Sequence, residues 1–110
     1  MNNKHGGFVY IITNQNNTVL YTGVTSKLRA RIFEHKTNFY PKSFTARYNC
    51  NKIVWFEFLP HIEEAIGREK QIKASNRKAK ELLINSINTT WKICEMKSRI
   101  YRLLTPTFRN

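Results

Sequence analysis

Tyr10, Tyr21, Arg31, His35 and Glu69 are the residues of this chain whose types and positions point to chemistry. The tyrosines lie in neighbouring stretches rich in β-branched and aromatic residues, FVYIIT (8–13) and TVLYT (18–22), which read as paired strands around a polar turn. A turn centred on Gln15 and Asn16 makes residue i face residue 31 − i and sets Tyr10 directly opposite Tyr21. Such a pair either steadies a sheet as an aromatic cross-strand contact or brings two phenols to one small site. Arg31 and His35 are four residues apart, alongside Leu28 and Ile32 on the helix face that should meet the sheet. A guanidinium held there is shaped for bidentate phosphate contact. His35 is either a hydrogen-bonded core-edge histidine or a catalytic one. Its neighbours Lys27, Arg29 and Glu34 fall elsewhere around the helix and read as solvated.

Glu69 interrupts an apolar stripe of Ile62, Ala65, Ile66 and Ile72. A carboxylate aimed at the core edge is costly unless a cation or a metal ion pairs with it, and either partner satisfies the pattern. Glu63 and Glu64, in contrast, are first-turn acids favoured by the helix dipole. Phosphodiester hydrolysis needs a base for water, a cation for the phosphoryl charge and a metal for the leaving oxygen, and this set supplies each part. Tyrosine, with an ordinary pKa of about 10, needs a nearby cation or a relay to act as a base.

The elements that must position these groups follow from pattern. After the hairpin, TSKLRARIFEHK (25–36) is a helix that Thr25 or Ser26 can cap. The stretch 37–51 is polar, aromatic and basic, contains Pro41, and reads as a loop or broken helical turn. KIVWFEFL (52–59) is the clearest strand, ended by Pro60. Helical periodicity runs from His61 to about Ser75, then from Asn76 or Arg77 to Ser86, and 90–104 forms a last candidate helix. The order ββαβαα gives an α+β fold, a small three-stranded antiparallel sheet flanked by helices.

The 110 residues suffice for one domain, placed at 1–96 with a basic extension at 97–110. With no apolar run near the ~20 residues of a membrane span and no signal-like N-terminus, the expected address is the cytoplasm and the expected state of Cys50 and Cys94 is reduced. The 19 Lys and Arg against 7 acids, net +12, point to a polyanionic partner, nucleic acid before membrane. All 7 acids are glutamates, which argues against a two-metal site built from several aspartates. Lys42, Arg47, Lys73, Arg77, Lys78 and Lys80 flank the candidate site in sequence, with Phe39, Tyr40, Phe44 and Tyr48 among them. They are expected to line a path for a phosphate backbone, with the aromatics either stacking on bases or belonging to the core.

FVY (8–10), YTG (21–23), RARIFEH (29–35) and REKQIK (68–73), in this order and spacing, resemble the GIY-YIG nuclease superfamily. They look most like its small single-domain members, relatives of the N-terminal nuclease domain of excinuclease C. SFTARYN, KIVWFEF and EEAIGREKQIK extend the likeness over roughly 7–92. The resemblance implies a phosphodiester hydrolase acting on nucleic acid, DNA ahead of RNA, in repair or recombination. It assigns Tyr10 and Tyr21 to the two motif tyrosines, either of which activates water, and Gly23 to the glycine of a tight turn beside the site. Arg31 matches the phosphoryl-stabilising arginine, His35 a histidine of many members, and Glu69 the single ligand of Mg²⁺ or Mn²⁺. Asn88 matches an asparagine near the site. Where excinuclease-type members carry a lysine after the glycine, this chain has Val24, so a route through that lysine is closed. Two other functions compete with a nuclease. One is a catalytically weak or inactive nucleic-acid-binding module on the same scaffold. The other, a basic ribosome- or membrane-associated protein, explains the charge but not the site residues.

Overall fold

The structure, a computed structural model, describes residues 6–37 and 39–94. Strands β1 (Gly7–Thr13), β2 (Leu20–Thr25) and β3 (Lys52–Leu59) form an antiparallel sheet in the order β2-β1-β3. Helix α1 (Leu28–Lys36) and the single turn α2 (Phe44–Arg47) precede β3, and α3 (Ile62–Ala74) and α4 (Arg77–Ile87) follow it. The central strand is covered on both faces, so all seven β1 residues are buried. Its alternation divides the core in two. Phe8, Tyr10 and Ile12 pack with Leu28 and Ile32 of α1, Cys50 and Ile53. Val9 and Ile11 pack on the other face with Val54, Trp55, Ala65, Ile72 and Ile84, under α3 and α4. A bulge between Ile11 and Ile12 breaks the β1–β3 register, and Val54 and Trp55 both join the α3 side. Among the described residues no helix is long and apolar enough to cross a membrane, and Cys50 and Cys94 are free thiols.

The hairpin register differs from the sequence expectation by two residues: Tyr10 pairs with Gly23, and Tyr21 with Ile12. Asn14 is the cause. Its Oδ1 accepts from the backbone N–H of Thr18 (2.8 Å) and Val19 (3.1 Å), and its Nδ2 donates to Thr18 Oγ1 (2.7 Å). Thr13 Oγ1 donates to the Val19 carbonyl at 2.7 Å, and Asn17 takes φ 59°. Thr18 and Val19 are thereby drawn into a loop, and β2 starts at Leu20. A shift of two keeps each side chain on its face, so the tyrosines become diagonal neighbours instead of a direct pair.

Three other boundaries move. Neither Thr25 nor Ser26 caps α1; Thr25 Oγ1 instead accepts from the Lys27 N–H at 3.0 Å, and the helix starts uncapped at Leu28. Segment 37–51 contains the one helical turn α2, capped by Ser43, which accepts from the Ala46 N–H. The helix read over 90–104 does not form at 90–94, where the Cys94 N–H instead bonds the Ile53 carbonyl beside β3 at 2.9 Å. The remainder of that segment, and with it the proposed extension 97–110, lies outside the described residues.

Candidate active site

The face of the sheet under α1 carries the candidate chemistry. β1 delivers Tyr10 beneath α1, where its phenol oxygen lies 3.0 Å from His35 Nε2. His35 Nδ1 lies 3.0 Å from Thr45 Oγ1, supplied by α2, and Thr45 Oγ1 lies 3.3 Å from Ser43 Oγ. Arg31, one turn before His35, lies beside the Tyr10 phenol and donates from Nη1 to Glu34 Oε1 at 2.8 Å. Tyr21 stands edge-on to the His35 ring at 6.1 Å between centroids. Tyr21, Arg31, Glu34, His35, Tyr40, Ser43, Phe44 and Thr45 line a small cleft of about 60 Å³.

Gly23 serves this arrangement by occupying no space. The sequence suggests the glycine of a tight turn, but Gly23 lies inside β2, and no described glycine has positive φ. A Cβ at Gly23 would collide with Cζ and the phenol oxygen of Tyr10. The tyrosine ring lies across the glycine opposite it in the ladder, so the missing side chain lets Tyr10 reach His35.

Burial sets the protonation states. Tyr10 is pushed up to about 12, chiefly by desolvation, with the nearby Arg31 working the other way. Burial first, and the Arg31 charge second, bring His35 down to about 4. At neutral pH the phenol is therefore protonated and the imidazole neutral. A protonated phenol and a neutral imidazole are both satisfied when the Tyr10 O–H donates to His35 Nε2 and His35 Nδ1–H donates to Thr45 Oγ1. The chain of bonds fixes the ring of His35 and seals Tyr10, which is 1% exposed. Tyr21 is only partly buried and faces the cleft.

Glu69 comes from the other side of the sheet. It sits on α3 between Ala65 and Ile72 and is buried, with Oε2 2.8 Å from Lys73 Nζ, and it is not among the residues lining the cleft. α3 packs against β1 and the edge strand β2. The Lys73 ammonium is held up first by its bond to Glu69, with a smaller contribution from Tyr21, so this end of α3 lies within electrostatic reach of the Tyr21 strand. On the α3 side of β2, Thr22 Oγ1 is buried with no hydrogen-bond partner among the described residues. No group of three His, Cys, Asp or Glu residues forms a metal cage among the described residues. A single carboxylate nevertheless suits a hard cation that keeps most of its own water and takes further oxygens from a phosphate. The Lys73 side chain that pairs with Glu69 is half exposed.

The remaining candidates divide by what already holds them. Arg77 donates to the hairpin-loop carbonyls of Thr18 (3.0 Å) and Asn17 (2.7 Å) and to Glu81, tying α4 to the β1–β2 loop. Lys80 donates to the Ser75 carbonyl. Lys42, Arg47, Lys73 and Lys78 are exposed. Asn88 is a bracket: its Nδ2 donates to the Val54 and Lys92 carbonyls and its Oδ1 accepts from the Lys92 N–H, which joins the end of α4 to β3. Glu34, Ser43 and Thr45 escape a reading of the sequence. Glu34, which by pattern is a solvated residue, buttresses Arg31. The hydroxyls of Ser43 and Thr45 lie in a polar loop, where the sequence offers no contrast to mark them.

Residues 6–82 match the family described as the GIY-YIG catalytic domain. A UPF0213 protein of Syntrophus aciditrophicus (strain SB) is 34% identical over 77 residues, covering 70% of this chain and 87% of that protein. A UPF0213 protein of Clostridium perfringens (strain 13 / Type A) is 38% identical over 79 residues, covering 72% and 83%. The solution NMR structure of a UPF0213 protein from Bacillus halodurans superposes with a TM-score of 0.52 at 25% identity, over 84% of this chain and 97% of that one. Matched on sequence over most of its relatives' length and on the same fold, the chain belongs to the GIY-YIG catalytic-domain family of the nuclease superfamily, among the small UPF0213 proteins.

Proposed function

We propose that the protein is a divalent-metal-dependent endonuclease that hydrolyses phosphodiester bonds in DNA, with repair or recombination as its setting. The observation that carries this reading is the cleft itself, where a partly exposed guanidinium and a phenol face solvent above a buried Tyr10–His35–Thr45 chain. Arg31 binds the scissile phosphate and meets the charge that develops on it. Tyr21 is the tyrosine that meets the attacking water, because Tyr10 is sealed and strongly protonated. Tyr10 and Thr45 hold His35 in place at the floor of the cleft, with its imidazole neutral. Glu69 would hold one Mg²⁺ or Mn²⁺ on release of Lys73, and the bound ion would supply Lewis-acid stabilisation of the phosphoryl and leaving oxygens. This reading requires the Glu69 carboxylate to reach past the edge strand β2 toward Tyr21.

The ion pair that Glu69 makes with Lys73 also fits a second reading, a nucleic-acid-binding module in which Glu69 is structural. A nuclease assay with Mg²⁺ and Mn²⁺ over single strands, nicks, flaps and junctions separates the two, with Glu69→Gln as the control. If Glu69 is the ligand, cleavage falls at least ~100-fold, a barrier increase of only ~2.7 kcal/mol, while binding survives or tightens. If Glu69 is structural, the melting temperature falls and activity per folded molecule stays. A folded Glu69→Gln protein cleaving at the wild-type rate removes the metal site from this residue.

A further inference from the structure

A second concavity, of about 340 Å³, opens beyond the cleft between the β1–β2 loop and the end of α2, lined by Asn14, Gln15, Asn16, Tyr48, Asn49 and Asn51. Its makeup is unusual for a chain of net charge +12: five carboxamides and a phenol, with no cation and no carboxylate. Asn14 spends its amide on the hairpin loop. The side chains of Gln15, Asn16, Asn49 and Asn51 make no hydrogen bond among the described residues, so their donors and acceptors remain available to a ligand.

The pocket is joined to the cleft by a run of aromatic rings, one pair stacked and the next tilted. Tyr21 and Phe44, both lining the cleft, lie 5.9 Å apart at an interplanar angle of 28°, and Phe44 lies 4.7 Å from Tyr48 at the pocket wall. On its other side the pocket shares Gln15 and Asn51 with a shallow groove bordered by Lys36 and Lys52. A strand with its phosphate at Arg31 would therefore meet, in turn, aromatic faces, neutral hydrogen-bonding forks and ammonium groups. That sequence of surfaces fits an unpaired nucleotide, since a base stacked inside a duplex cannot offer its face to a ring.

Resting on the proposed nuclease reading, we propose that this carboxamide pocket is a base-recognition subsite, which takes an unpaired nucleobase of the DNA strand to be cut, adenine in preference. Tyr48 supplies the stacking face, and Gln15, Asn16 and Asn51 supply the forks. A carboxamide matches the paired donor and acceptor of adenine N6 and N7, whereas guanine favours a cation and cytosine a carboxylate, and the pocket holds neither.

Binding measured without divalent ions tests this independently of cleavage. End-labelled single strands of oligo-dA and oligo-dT, and an abasic strand of the same length, are titrated with the full chain by fluorescence anisotropy. The wild type is expected to bind oligo-dA at least fivefold more tightly than oligo-dT. Asn16→Ala with Asn51→Ala, two exposed positions without hydrogen bonds of their own, should erase that preference while leaving the abasic strand unaffected. Tyr48→Ala should weaken both base-bearing strands about tenfold and the abasic strand little. Equal affinity of the wild type for all three strands, a preference for dT, or a preference that survives the double substitution overturns the subsite. Base-selective binding without cleavage in Mg²⁺ would count against the nuclease reading alone; cleavage with no base preference would count against the subsite alone.

Discussion

Arg31, His35 and Glu69 stand out in the sequence because each is polar where a periodic pattern asks for an apolar residue, and Tyr10 and Tyr21 because the hairpin pattern sets their strands side by side. Glu34, Ser43 and Thr45 do not, because a polar residue in a polar stretch contrasts with nothing. Gly23 is found for the wrong reason: a glycine in a sequence suggests a turn, and only the three-dimensional register shows the ring lying across it. Gly23→Ala is accordingly expected to destabilise the fold by about 1–3 kcal/mol through overpacking, although alanine suits a strand better than glycine. Thermal unfolding checks it; an unchanged or raised melting temperature would mean that the Tyr10 ring is not confined there. His35 gives a second expectation. Its folded-state pKa, about 4, lies below the ordinary 6.5, so as pH falls the unfolded chain takes up a proton first. The fold therefore keeps its full stability above about pH 6.5 and loses it down to about pH 4, by at most about 3 kcal/mol from this group. Melting curves across that window should slope less for His35→Gln than for the wild type, and parallel profiles would contradict the assignment.

At the scale of elements, β3 and the two long helices after it lie where periodicity places them, since their apolar patterns are long and bounded by Pro60 and Asn76. The hairpin register is not readable, because it depends on the bonds that one side chain, Asn14, makes to the backbone four and five residues on. The helix at 90–104 fails at its start for a similar reason: Asn88 folds the chain back onto its own amide and turns it toward β3. Local side-chain capture of the backbone overrides periodicity in both places. Asn14→Ala should cost about 1–2 kcal/mol, because two backbone N–H groups lose their acceptor in a partly buried loop. Amide hydrogen exchange locates the effect: Thr18 and Val19 should lose protection before the centre of β1. Loss spread evenly over the sheet would show that Asn14 does not set the register.

For the whole molecule, the net charge of +12 announces a polyanion but not where it lies, since a sum carries no direction. The structure divides the basic residues by their existing work and puts Phe39, Tyr40, Phe44 and Tyr48 on the surface, at 60%, 51%, 49% and 43% exposure, which excludes them from the core. The cleft thus opens among exposed aromatics, with Lys42 and Arg47 nearby in the chain and free of ion pairs among the described residues. This gives a contrast between cations of equal charge. Each lysine or arginine that neutralises a phosphate contributes about −0.9 to the slope of log affinity against log salt on duplex DNA, and about −0.7 on a single strand. Lys42→Ala should therefore flatten that slope by nearly one contact while leaving the melting temperature within error. Arg77→Ala should do the reverse, lowering the melting temperature, because its guanidinium holds the loop carbonyls of Asn17 and Thr18, while the slope changes little. Salt titrations of binding and melting curves for both variants decide the matter. If Arg77 dominates the slope and Lys42 is silent, the phosphate path runs over the hairpin loop and α4 instead of along the cleft.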